Sequence, residues 1–117
     1  MPNTSPLELY ECVALVEYLN ILLVQGKILE FSHTANETYT KSWSQKRKNT
    51  QLGVRKGLPD YVVITKKTLL FIEMKRLKGG IVSPEQKKWI ESLYSVGVIA
   101  EVCIGFDNAK TLIDKHL

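Results

Sequence analysis

Cysteine is scarce in this chain, and the two present, Cys12 and Cys103, stand far apart. That spacing forms no metal knuckle and argues against a disulfide framework. Reduced thiols packed as small apolar residues, in a cytoplasmic compartment, are expected. His33 and His116 offer no metal-ligand spacing either. Long hydrophobic runs are missing: Glu8, Glu11 and Glu17 break the first apolar segment, and no stretch is long enough for a membrane-spanning helix. Met1 to Ser5 lacks the basic start of a secretory leader, so none is expected. The most telling absence is of acid. Thr38 to Pro59 contains no Asp or Glu, yet Lys41, Lys46, Arg47, Lys48, Arg55 and Lys56 all fall there. A block of one sign is either a solvated flexible loop or an electrostatic footprint for a polyanion.

What is present suits one compact domain, 1–117, with a single core: 44% of residues are hydrophobic and 24% charged. Pro6 to about Gln25 reads as a helix, with Ser5 as cap, Pro6 in the first helical position and Gly26 as stop. At about 100° per residue, Cys12, Leu15, Leu19, Leu22 and Leu23 share one face. Glu8 lies in the middle of that apolar stripe. It either completes a capping box in a solvated first turn or points at a site. Lys27 to His33 alternates as a short strand, and Thr34 to Leu58 is a long loop or partly helical excursion. Asp60 to Thr65 and Thr68 to Lys75 form a hairpin across Lys66-Lys67. Ser83-Pro84-Glu85-Gln86 opens a helix that runs to about Val96, Val98 to Gly105 is a buried strand, and Asn108 to His116 a final helix. Trp89 on the amphipathic helix reads as core, and Trp43 as a loop anchor or a base-stacking ring. The order α-β-β-β-α-β-α is that of a mixed central sheet flanked by helices, an α/β fold. A right-handed crossover makes the Glu73 strand and the Val98 strand parallel neighbours.

The chemistry concentrates between Gly57 and Lys75. Asp60 opens one strand, and Glu73 and Lys75, one residue apart, project to the same face of the next. If those strands pair, two carboxylates and an ammonium converge. Close carboxylates are costly unless a cation neutralises them, and hard oxygen donors suit Mg²⁺ or Mn²⁺. The pattern suggests metal-assisted hydrolysis, with phosphodiesters the leading substrate. A strand-entry acid and a solvent-facing ion pair would be the bland account. Against it, Leu69-Leu70-Phe71-Ile72 is apolar on both faces, as in a buried strand.

Three segments, in order, resemble the VRR-NUC (virus-type replication-repair nuclease) family of the PD-(D/E)xK nucleases: Gly53-Val54-Arg55-Lys56-Gly57-Leu58-Pro59-Asp60, then Phe71-Ile72-Glu73-Met74-Lys75-Arg76, then Ser83-Pro84-Glu85-Gln86. Trp89, the Gly97 turn, the Val102 to Gly105 strand and His33-Thr34-Ala35-Asn36-Glu37 fit the same pattern. The resemblance implies a restriction-endonuclease-like core and divalent-metal phosphodiester hydrolysis. It places Asp60 and Glu73 on the metal and Lys75 beside the attacking water. The first-helix acid falls on Glu8, with Glu11 in reserve, and Gln86 joins the catalytic set. Where that helix pattern often continues with Gln, this chain has Cys12.

DNA contacts are expected from Asn36, Lys41, Lys46, Arg47, Lys48, Arg55 and Lys56. Standalone members of the family resemble Holliday junction resolvases, and a symmetrical four-way junction suits a two-fold dimer. Branched DNA and a second copy of the chain are therefore the expected partners, with no membrane. A flap, nicking or restriction-type nuclease, or a noncatalytic nucleic-acid-binding module on the same fold, remain the alternatives.

Overall fold

The computed structural model describes residues 6–34 and 42–117. Ser5, Asn36 and Lys41, read above as a cap and two DNA contacts, lie outside them. The elements are α1 (Pro6–Val24), β1 (Ile28–His33), α2 (Trp43–Gln51), β2 (Tyr61–Thr65), β3 (Leu69–Lys75), α3 (Pro84–Ser95), β4 (Ile99–Ile104) and α4 (Gly105–Lys115). The strands form one sheet in the order β1-β2-β3-β4. The first two pairings are antiparallel and β3–β4 is parallel, with α3 as the crossover. This is the mixed, helix-flanked sheet that the sequence pattern predicts.

The hairpin turn is held by Thr65, whose Oγ1 accepts hydrogen bonds from the backbone N–H groups of Lys67 and Thr68. Leu15, Leu19 and Leu22 of α1 and Ala109, Leu112 and Ile113 of α4 pack on one face of the sheet, against Val63, Leu70, Ile72, Met74 and Cys103. Because β3 alternates, Glu73 and Lys75 point to the opposite face, where α3 lies. The strand is interior and flanked by β2 and β4, which explains its apolar composition on both sides.

One open expectation is resolved and one is corrected. Within the Thr34–Leu58 segment, read as a long loop or partly helical excursion, Trp43–Gln51 is a regular helix, α2. Ser42 caps it by accepting from the Gln45 N–H at 3.2 Å. Gly53 (φ +80°) closes it in a Schellman turn, with the Val54 N–H bonded to the Asn49 carbonyl. None of its side chains is buried, and among the described residues no other element packs against it. The last helix starts at Gly105 rather than Asn108. The Asn108 side chain does cap, but by reaching back to the Ile104 N–H at 2.9 Å. Ile104 has no capping side chain of its own, so the Glu11 carboxylate supplies one from α1, accepting the Phe106 N–H at 2.7 Å.

Candidate active site

The β2–β3 register pairs Tyr61 with Ile72, and one step further along the hairpin Asp60 comes opposite Glu73 on the α3 face. Asp60 Oδ2 accepts the Met74 N–H at 3.1 Å, which pins the carboxylate to β3 just where the strand pairing ends. Thr34 ties the adjoining chain on the other side, donating its N–H to the Asp60 carbonyl and its hydroxyl to that of Pro59. Glu73 is 1% exposed. Its Oε2 accepts from Gln86 Nε2 at 2.8 Å and forms an ion pair with Lys75 Nζ at 3.2 Å. Its Oε1 is buried with no hydrogen-bond partner among the described residues.

A buried carboxylate oxygen left in this state is expensive. Burial, and next the negative charge of Asp60, push the Glu73 carboxyl up to about 8. Asp60 is also raised, by burial; the Met74 N–H, Lys75 and His33 each oppose that rise. The two carboxyl groups lie close enough to share a proton. A proton is one way to hold such a pair; a divalent cation is another.

Gln86 makes two sets of contacts, one to its own helix end and one to Glu73. Its Oε1 accepts the Ser83 N–H at 2.9 Å while Ser83 Oγ accepts the Gln86 N–H at 3.1 Å, which completes a capping box. Its amide nitrogen remains free to hold Glu73. Gly57 (φ +106°) makes the close approach possible. A Cβ there would lie 2.7 Å from the Glu85 backbone, so the loop leading to Asp60 rests directly on the first turn of α3.

The first-helix acids divide. Glu11 is taken up by the N-terminus of α4. Glu8 is on α1, in the opposite layer from α3, and the Cys12 thiol feels the charges of Asp60, Glu8 and Glu73 together. Among the described residues no three His, Cys, Asp or Glu side chains close up as a metal cage. Asp60 and Glu73 are a pair. Burial pushes the Cys12 thiol up to about 11, which favours its neutral form.

The basic residues fall in two places. Lys46, Arg47 and Lys48 ride on α2 beside Trp43, which is 78% exposed and has the Lys46 ammonium 5.1 Å from its ring centroid. Trp43 is therefore no packed anchor. Arg55 and Lys56 line a cleft of about 290 Å³ with Glu85, Lys88, Trp89 and Ser92. Trp89 is thus a correction: it is a cleft wall rather than a core residue, its Nε1–H donating to the Lys56 carbonyl at 3.2 Å. Sequence reasoning gave His33 no metal role; it stacks edge-on to Tyr61, centroids 5.1 Å apart, next to Asp60. The antiparallel β1–β2 register opposes His33 to Tyr61.

The VRR-NUC domain model matches residues 15–107, a span that contains Asp60, Glu73, Lys75 and Gln86 but neither Glu8 nor Glu11. The chain belongs to the VRR-NUC family. That places it among nucleases of the PD-(D/E)xK type, a group that is generally divalent-metal dependent and acts on DNA. A solved VRR_NUC domain protein shares its fold with a TM-score of 0.61, at 22% identity over 88% of this chain and 87% of that one. No curated protein matches the chain. Among the described residues no helix of this VRR-NUC domain is long and apolar enough to cross a membrane.

Proposed function

We propose that this VRR-NUC domain is a divalent-metal-dependent endonuclease that hydrolyses phosphodiester bonds in branched DNA, in the manner of a Holliday junction resolvase. The observation that carries the reading is the buried Asp60–Glu73 pair, with Glu73 Oε1 unpartnered and Lys75 alongside. A pair of carboxylates fits Mg²⁺ or Mn²⁺, ions that keep much of their coordination for water and substrate phosphate. Asp60 and Glu73 would hold the ion, and Glu8 on α1 would be the natural carboxylate for a second. Such an ion supplies Lewis acidity, offsetting charge on the phosphoryl oxygens and acidifying water. Lys75 places a positive charge beside the reacting oxygens and orients the attacking water. Gln86 keeps the Glu73 carboxylate turned toward Asp60. A two-fold dimer suits a four-way junction, and α1 leaves Leu9, Tyr10, Val13, Ile21 and Val24 exposed on its outer side around Glu17 and Asn20, a mixed face a second copy would cover.

The test is cleavage of four-way, flap, blunt duplex and single-stranded DNA with Mg²⁺, Mn²⁺ or EDTA, with Asp60→Ala as control and sedimentation to read the dimer. Metal-dependent, symmetrical cuts confined to four-way junctions are expected, and Asp60→Ala is silent. Asymmetric cuts at flaps or nicks would replace the resolvase reading. DNA binding without cleavage of any substrate would leave only a binding module. Replacing Lys46, Arg47 and Lys48 with Ala is expected to flatten the dependence of log affinity on log salt by about two to three units, since each phosphate contact contributes roughly one. An unchanged slope would mean that α2 does not touch the backbone.

A further inference from the structure

We propose that the cleft between the Arg55–Gly57 loop and α3 is a nucleotide pocket that takes one unstacked residue of the DNA strand, its base against Trp89 and its phosphate on Arg55, Lys56 and Lys88. Identifying the ligand as part of a DNA strand rests on the nuclease reading. The pocket itself stands on geometry. Its volume, about 290 Å³, admits a nucleotide and not a double helix. One wall is an indole, and an aromatic face takes any base by stacking. The ring is fixed in place, because its Nε1–H is bonded to the Lys56 carbonyl at 3.2 Å. The opposite wall cannot drift, since Gly57 rests on the Glu85 backbone.

The charges argue for a nucleotide over a bare phosphate. Arg55, Lys56 and Lys88 supply the cations, but Glu85 lines the same cleft. A carboxylate repels an anion and accepts from the N–H edge of a base. The location suits a substrate strand. Lys56 is four residues before Asp60, so their Cα atoms lie within about 14 Å even for a stretched chain. Glu85 precedes Gln86, whose amide holds Glu73. A strand lying across the carboxylate pair reaches this cleft over a short single-stranded stretch. Only DNA that presents unpaired or easily opened nucleotides fills it, which gives the domain a reason to prefer branches over blunt duplex.

Trp43→Phe leaves Trp89 as the single tryptophan of the protein. That protein would be titrated in EDTA with oligothymidylate, a four-way junction, a blunt duplex and free thymidine monophosphate, following Trp89 fluorescence. Quenching by the oligothymidylate and the junction, with little by the duplex, is expected. In fluorescence-anisotropy binding, Trp89→Leu should weaken oligothymidylate about tenfold and blunt duplex far less. Trp89→Phe restores most of the loss, and Lys88→Ala, on an exposed side chain, weakens it without touching the indole. Equal quenching by duplex, or none by any DNA, overturns the pocket. Free thymidine monophosphate binding as tightly as the oligonucleotide overturns the strand assignment. Quenching with no cleavage of any DNA supports the pocket while sinking the nuclease; cleavage without quenching does the reverse.

Discussion

Glu73→Gln abolishes cleavage and, in EDTA at pH 8, makes the protein more stable than the native chain. The two effects share one origin. In the folded protein without a divalent ion, burial and Asp60 raise Glu73 from 4.5 to about 8, while in the unfolded chain it titrates in the ordinary carboxylate range. Between those values the folded state binds the extra proton, so stability is greatest at the acid end of the window and falls as pH rises toward 8. The loss amounts to a few kcal/mol at most, and thermal melts in EDTA across that window would read it. The amide introduced by Glu73→Gln carries no charge to desolvate, so the variant's melting temperature is nearly flat where the native one declines. Added Mg²⁺ raises the native melting temperature at pH 8 by mass action and leaves Glu73→Gln unmoved. Cleavage falls by about 10³-fold or more, the scale of removing a principal electrostatic stabiliser. Retained metal-dependent cutting by Glu73→Gln would end the assignment of this carboxylate to the metal.

The pair was legible in the sequence because strand alternation is a local rule. Glu73 and Lys75 had to share a face, and a two-residue turn at Lys66-Lys67 left one register that brings Asp60 to them. The Ser83–Gln86 box was legible for the same reason, since its partners are three residues apart. What escaped was either nonlocal or without periodicity. Glu11 finds its partner 95 residues away, so nothing near it announced the contact with Phe106. Helix α2 is polar all round and buries nothing, so no apolar stripe marked it; only the Ser42 and Gly53 ends carried a signal. Trp89 was misread because an aromatic on an amphipathic helix usually packs inward. Here α3 buries none of its side chains fully and leaves the ring on a cleft. The core face of α1 was legible as well: Leu15, Leu19 and Leu22, placed on one stripe by their spacing, are buried, although Leu9, Tyr10, Val13, Ile21 and Val24 on the other side are also apolar.

Gly57→Ala is expected to cost about 2–4 kcal/mol and to lower cleavage about 100-fold, although Gly57 bears no side chain and touches no substrate. Its φ of +106° is one that L side chains rarely adopt, and an added Cβ would lie 2.7 Å from both the carbonyl carbon and oxygen of Glu85. Those are backbone atoms of a capped helix and cannot swing aside. Either the loop lifts or the first turn of α3 retreats, and both carry site residues. The loop ends in Asp60, pinned to the Met74 N–H at 3.1 Å; the turn carries Gln86, 2.8 Å from Glu73. A shift of a few tenths of an ångström at Gly57 therefore separates the two carboxylates from the groups that aim them. Gly53→Ala is the matched control. Its φ is +80°, but nothing lies within 4 Å of the new methyl. It should cost only the left-handed conformation, about 1 kcal/mol, and leave cleavage within a few-fold of the native rate. Urea unfolding and single-turnover cleavage of the two variants, side by side, separate backbone strain from the loop–helix contact. Equal losses in both would show that strain alone matters and that the Gly57–Glu85 approach does not position the site.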